Sequence, residues 1–277
     1  MVEPDWGLGD REVEEICRLL NQQLGFGYGK QKKYLFFSRL SKRLRELNLK
    51  SYQDYLDLLK TDQGELNHFY DLLTTNVTSF FREANQLKIF QRDLLPGIVK
   101  QHQKDHKLRF WSAGCSSGEE AYSIAILLLE ALENYWDVKV LATDISTLKL
   151  QEGMAGVYDE ERVQAIPKPL LKKYFQLIPG EKHSFRVKPE LRRCVVFRKI
   201  NLNEDFEIPS HIKFDGIFCR NVFIYLSESA RARIINAFYS YLDNKGYLSL
   251  GHSESINTYN DNHWLPLRNC IYQKVGN

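Results

Sequence analysis

The chain has 277 residues, room for one large domain or two ordinary ones, and its 43% hydrophobic and 26% charged residues are those of a folded globular protein, not a disordered one. No apolar run is long enough to span a bilayer, and the opening MVEPDWGLGD has neither the basic nor the apolar stretch of a secretion signal, so a cytoplasmic protein without membrane insertion is expected. The net charge of +3 is unevenly spread: the stretch from Lys30 to Lys50 holds eight Lys or Arg against one acid, Glu46, so one helix-sized face is basic while the rest of the chain is net negative.

The first eighty or so residues read as helices only. Asp10 can cap a helix in which Val13, Ile16, Leu20 and Leu24 recur at helical spacing, and GFGYG breaks it. Phe36, Leu40, Leu44 and Leu47 form the apolar stripe of a second helix over Lys30 to Leu47, with the basic residues beside it. SYQD, Ser51 to Asp54, has the form of a capping box opening a third helix, and a fourth runs to Leu73. After a helix over Asn85 to Gln103, short apolar runs alternate with helices. The strands are predicted at Leu108–Ala113, Val138–Thr143, Phe214–Cys219, Gly246–Gly251 and Cys270–Val275, with helices at Glu119–Glu133 and Ser227–Leu242. That alternation implies a largely parallel, doubly wound sheet. SFRVKPEL and CVVFRKI, both between Pro167 and Ile200, predict a small antiparallel insertion. Cys17, Cys115, Cys194, Cys219 and Cys270 are odd in number and scattered, with no C-x-x-C pair or zinc spacing, so reduced thiols and no metal site are expected.

The stretch RFWSAGCSSGEEAYS places Gly114 and Gly118 in the turn after the first strand, where an open α/β sheet holds its ligand. It is neither G-x-G-x-x-G nor a P-loop, and Glu119 and Glu120 open the next helix. Acids there suit the helix dipole but repel a pyrophosphate. A nucleoside carrying a cationic amine fits better, as S-adenosylmethionine does, and Asp144 at the end of the second strand is placed to accept hydrogen bonds from ribose hydroxyls. The plainer reading is that the glutamates only complement a helix N-terminus and Asp144 caps the following helix.

TTNVTSFFRE, FWSAGCSSGEEAYSIA, FRVKPELRRCVVFRKINL, FDGIFCRNVFIYL and LGHSES, in this order from about Gly25 to the end, resemble the CheR family of S-adenosylmethionine-dependent chemoreceptor methyltransferases. The resemblance implies an all-α N-terminal domain over residues 1–84. It also implies an α/β, Rossmann-like methyltransferase domain over 85–277 with a small antiparallel β insertion at about 167–200. The implied activity is methyl transfer to glutamate side chains of the receptor's cytoplasmic coiled coil, with S-adenosylhomocysteine as the other product, in sensory adaptation.

Carried over motif by motif, the resemblance implies donor contacts from Asn76, Thr78 and Arg82, otherwise an interdomain loop with a helix cap and a surface arginine. It implies Gly114 in the turn, Glu119 on the methionyl ammonium with Glu120 as the alternative, and Asp144 on the ribose. Asn201 and Leu202 fall near the adenine, and Arg220 and Asn221 at the end of the strand Phe214–Cys219. A glutamate is already ionised near pH 7, with an ordinary pKa of about 4.3, so the transfer needs positioning and not a strong base. Arg82 and Tyr225 are expected to orient the incoming carboxylate, Tyr225 reading otherwise as a buried helix aromatic. Arg39, Lys42, Arg43 and Arg45 are expected to dock on the acidic receptor helices.

Some relatives use the edge of the insertion to capture a receptor C-terminal peptide by strand addition, and the short tip IPGEKHSFRVK carries nothing that assigns that task. A monomer is expected, since no heptad or exposed apolar stripe asks for a dimer. The basic segment keeps an RNA methyltransferase in view, but no NPPY-like motif or stacking platform accompanies it, and no nucleic-acid partner is expected. A non-catalytic donor-binding module is the alternative from a different class.

Overall fold

A computed structural model of the chain describes residues 7–74, 77–181, 183–256 and 263–276. It divides into two compact units: residues 1–75 with 201–205 and 225–234, and residues 76–200 with 206–224 and 235–277. The division after residue 75 falls earlier than the boundary expected at 84.

The first unit is helical. Helix α1 (Asp10–Leu24) buries Val13, Ile16, Leu20 and Leu24 and ends at Gly25; Gly9 holds the cap position and Asp10 is the first helical residue, where its charge complements the dipole. A single 3₁₀ turn at Lys30–Lys32 precedes α2 (Lys33–Glu46), which buries Phe36, Leu40 and Leu44. Ser51 Oγ accepts the Asp54 N–H at 3.1 Å at the start of α3 (Tyr52–Leu59), the expected cap, and Asp62 does the same for Glu65 in α4 (Gln63–Leu73).

The second unit opens with α5 (Ala84–Ile89), a π turn at Phe90–Leu94 and α6 (Leu95–Gln101). One helix was expected here. Pro96, which cannot donate a backbone hydrogen bond, sits in the first turn of α6, and the wide turn before it absorbs the interruption. There follow β1 (Lys107–Ala113), α7 (Glu119–Ala131), β2 (Asp137–Asp144), α8 (Thr147–Ala155), β3 (Val157–Asp159), α9 (Glu160–Val163), α10 (Lys168–Tyr174), β4 (Phe175–Leu177), β5 (Ser184–Val187), α11 (Pro189–Arg192) and β6 (Val195–Lys199). The chain closes with β7 (Phe214–Cys219), α12 (Glu228–Tyr241, whose first part belongs to the first unit), β8 (Leu242–Leu250), β9 (Trp264–Pro266) and β10 (Ile271–Lys274).

The main sheet has the order β6-β2-β1-β7-β8-β10-β9; the first five strands are mutually parallel, β10 pairs antiparallel with β8, and β9 pairs antiparallel with β10. Every residue of β7 is buried, as a central parallel strand covered on both faces requires. Trp111 of β1 is fully buried, and its indole N–H finds Thr143 Oγ1 of β2 at 2.8 Å. A second sheet, β3-β5-β4, is antiparallel.

CVVFRKI does not belong to the antiparallel insertion: β6 pairs in parallel with β2, Val195 opposite Val140, as an edge strand of the main sheet. An edge strand exposed on one face has the same alternating pattern as a hairpin strand, so periodicity cannot separate the two. The insertion instead takes β3 from before the expected boundary.

Candidate active site

β1, β2 and β7 are neighbours that end on the same side at Ala113, Asp144 and Cys219, and the chain reaches β2 and β7 from opposite sides of β1. In open α/β sheets ligands bind outside such a switch point. The turn after β1 is pinned there, because Gly114 N and Cys115 N both donate to Thr143 O of β2, at 2.8 and 2.9 Å. Gly114 (φ +84°) and Gly118 (φ +93°) take left-handed backbone, and a Cβ on Gly114 would come within 2.5 Å of Val222 Cγ2.

The two glutamates that open α7 are buried and held by different arginines. Glu119 is 1% exposed. Its Oε1 accepts Arg162 Nε at 2.9 Å and a second bond from Arg162 Nη2, and its Oε2 accepts Ser117 Oγ at 2.9 Å. Glu120 accepts Ser112 Oγ and Arg220 Nε, both at 2.7 Å. Asp144 Oδ1 accepts Ser146 N and Oδ2 accepts Ser116 N, at 2.9 and 2.8 Å, which aims the carboxylate at the glycine turn. The cap of α8 is Ser146, not Asp144.

Arg220 links the turn to the segment that carries Arg82. Besides Glu120 it donates through Nη1 to Arg82 O at 2.8 Å and Gln86 Oε1 at 3.2 Å, and Gln86 in turn donates to Leu250 O and Asn269 O. Arg82 lies between Phe81 (φ +51°) and Glu83 (φ +56°), two left-handed residues that are not glycine, and its Nη1 donates to Val77 O. Strained backbone of this kind persists only where its surroundings impose it, and it clusters at working sites. Ser123 Oγ of α7 accepts Phe81 N at 2.9 Å and is one such constraint.

Asn221, also left-handed (φ +61°), donates its N–H to Glu254 Oε2 at 2.9 Å. Glu254 accepts two further backbone N–H groups, from Gly251 at 2.6 Å and Ile224 at 3.1 Å, and so fixes the loop after β7. Burial pushes the Glu254 carboxyl up, and those hydrogen bonds pull against it. Nothing in the sequence gives Glu254 within LGHSES a task or signals Arg162: an acid whose partners are backbone amides has no spacing signature, and neither has an arginine whose partner is 43 residues away.

The structure thus brings together Gly114, Glu119, Glu120, Asp144, Arg220, Asn221 and the Arg82 backbone, all in the second unit, which also contains Thr78. Asn76 lies outside the described residues. Asn201, Leu202 and Tyr225 belong to the first unit. There Asn201 Nδ2 donates to Gln23 O at 2.7 Å, and the Tyr225 ring lies 5.9 Å from that of Phe26. The basic helix is unevenly committed. Arg39 donates to Leu72 O and Thr74 O, while Arg43 binds Glu65 through Nε at 2.9 Å and Nη2 at 2.5 Å. Lys42 and Arg45 are exposed.

These residues suit an S-adenosyl donor. The three acids around the turn, Glu119, Glu120 and Asp144, outnumber the two arginines paired with the glutamates, which leaves no surplus of cations for a pyrophosphate. Asn221 Oδ1 is a buried acceptor with no hydrogen-bond partner among the described residues, a place for a polar ligand atom. Cys115 and Cys219 are buried, and burial pushes both thiols up, so neither is a nucleophile.

Comparison with known proteins agrees with this chemistry. Residues 76–270 match the family described as CheR methyltransferase, SAM binding domain, and residues 11–74 match CheR methyltransferase, all-alpha domain. The chain is 38% identical over 252 residues to a chemotaxis protein methyltransferase of Borreliella burgdorferi, covering 88% of each. It is 40% identical to chemotaxis protein methyltransferase 2 of Pseudomonas aeruginosa over 88% of this chain and 86% of that one. The corresponding Salmonella typhimurium protein is 36% identical over 90% of this chain and 85% of its own.

Proposed function

Since the chain belongs to the CheR methyltransferase family, we propose that it methylates glutamate side chains on the cytoplasmic coiled coil of a chemoreceptor. When bound, S-adenosylmethionine supplies a methyl carbon made electrophilic by its sulfonium. The observation that carries the reading is the acid-lined glycine turn at the sheet's switch point, with Glu119, Glu120 and Asp144 buried around it. The chain's own work is to bind, orient and exclude water. Asp144 takes ribose hydroxyls, Arg82 steers the substrate carboxylate, and Arg220 holds the Arg82 backbone against α7 through Glu120. No general base is required, because the nucleophile is an ionised carboxylate. The exposed face of α2, with Lys42 and Arg45 beside exposed Tyr34 and Phe37, supplies cationic and aromatic surface for acidic receptor helices.

The test is transfer of label from methyl-labelled S-adenosylmethionine into membranes containing the organism's chemoreceptors, followed by mild alkali. Volatile label released by alkali is expected, since only a carboxyl methyl ester hydrolyses so readily. Label that stays on the protein would point to nitrogen or carbon methylation and overturn the substrate class.

A further inference from the structure

The geometry points to Arg162 as the residue that receives the carboxylate of the donor's amino-acid end. This rests on the donor-site reading above and deepens it. Recognition of a zwitterionic amino acid needs a cation for its carboxylate as well as an acid for its ammonium, and the site residues considered so far offer two other cations, of which Arg82 is assigned to the substrate carboxylate and donates through Nη1 to Val77 O. Arg220 is spent on Glu120, Arg82 O and Gln86.

Arg162, on the one-turn helix α9, is the guanidinium built into the turn's other side. Its Nε and Nη2 are held by Glu119 Oε1, and Nη2 also donates to Ser117 Oγ at 2.6 Å. Its guanidinium carbon Cζ lies over the Tyr158 ring, 4.7 Å from the centroid. Two sides of the fork are therefore fixed. The third, Nη1, makes only a long 3.5 Å approach to Glu152 Oε2 among the described residues. The side chain is 30% exposed although Glu119 beneath it is 1% exposed, so the accessible part of this ion pair is its cation. It borders a cleft of about 400 Å³ lined also by Thr78, Ser79, Glu161, Gln164 and Ala165.

Two hydroxyls and a half-buried guanidinium in one cleft suit a carboxylate, and a guanidinium preoriented by a buried acid loses little freedom on binding it. Glu161 on the rim is the opposing charge that such an anion meets. Thr78 reached the donor site independently, from its sequence motif. Glu119 then has two tasks, orienting Arg162 and drawing positive charge to the turn.

The experiment is calorimetric binding of S-adenosylhomocysteine and of its decarboxylated analogue, which keeps the amine and lacks the carboxylate, to the full chain, its R162Q variant and its R162K variant. Expected is a loss of about 10- to 100-fold for S-adenosylhomocysteine in R162Q, the size of one charge-assisted hydrogen-bonding interaction, with the analogue changed less than about twofold. R162K, which keeps the charge without the fork, should show a smaller loss confined to the same ligand, and it decides the matter if R162Q does not fold. Equal losses for both ligands would mean that Arg162 acts only by supporting Glu119, and tighter binding would mean that it competes with the donor's ammonium; either overturns the assignment. Wild-type protein that bound neither ligand would overturn the donor-site reading itself, and the assignment with it.

Discussion

Arg43 and Lys42 are adjacent in the same basic helix, yet their replacement should have unrelated consequences. Arg43 is 24% exposed and closes a fork on Glu65, which is 6% exposed and also accepts Tyr55 Oη at 2.8 Å. Glu65 sits below the ordinary carboxylate value: burial pushes it up, and the bonds from Arg43 and Tyr55 more than reverse this. Arg43→Met leaves that carboxylate buried with the Tyr55 hydroxyl as its remaining hydrogen-bond donor among the described residues and His68 near by. Breaking a fully buried pair costs about 3–5 kcal/mol, and the partial exposure of Arg43 lowers the expectation to about 2–3 kcal/mol. Lys42, 81% exposed with a 3.9 Å contact to Glu46, should cost less than about 0.5 kcal/mol as Lys42→Ala. Thermal and urea unfolding followed by far-ultraviolet circular dichroism on the full chain would show the difference. A cycle with Glu65→Gln would isolate the pair, because the double variant should recover part of the Arg43→Met loss. The consequence for receptor docking is direct: reversal of Lys42 and Arg45 to Glu should depress receptor methylation at low salt with folding intact, whereas reversal of Arg43 should fail by unfolding. An Arg43→Met protein as stable as Lys42→Ala would refute this reasoning.

Glu254→Gln replaces a carboxylate that accepts three backbone N–H groups by an amide with one acceptor oxygen. A stability loss of about 1–3 kcal/mol is expected together with weakened S-adenosylhomocysteine binding, read by denaturation and calorimetry. Gly114→Ala puts a side chain on left-handed backbone against Val222, so donor binding should fall steeply while the strain costs about 1–3 kcal/mol. At the amino end of β7, His102 Nε2 meets Asp215 at 2.7 Å, with Asp105 on Nδ1 and Asp243 close by. Burial works against the His102 imidazolium, but Asp215 and Asp105 outweigh it and its pKa is raised. A raised histidine stabilises fully below its unfolded value of about 6.5 and loses that contribution as pH rises through the folded value. His102→Gln should therefore flatten the stability profile above about pH 6.5, and an unchanged profile would remove the pair from the account.

Much of the fold is legible because its signals are local. Buried strands such as Phe214–Cys219 appear as continuous apolar runs, and α1 and α3 announce their ends by Gly25 and Ser51. The parallel pairing of β6 with β2 is a long-range choice, and five residues of alternating character carry no information about it. The site is legible in the same divided way. The glycine turn and its two glutamates stand together in the chain, but the arginines that neutralise them come from residues 162 and 220, and only folding shows which arginine serves which acid. The basic helix shows the opposite error: four similar residues in a row of motifs suggest one task, and their surroundings divide them between holding the helical unit together and facing solvent.

The helical unit is discontinuous in the chain, closing only with residues 201–205 and 225–234. A ribosome that has released the first four helices has therefore not yet released everything those helices pack with; about 160 further residues must emerge before the last piece arrives. Until then part of their apolar surface waits uncovered, exposed to chaperones and proteases. A truncation after residue 75 would reproduce that nascent state permanently, and a fused partner or a split-protein design placed at that junction would separate the unit from two segments of itself.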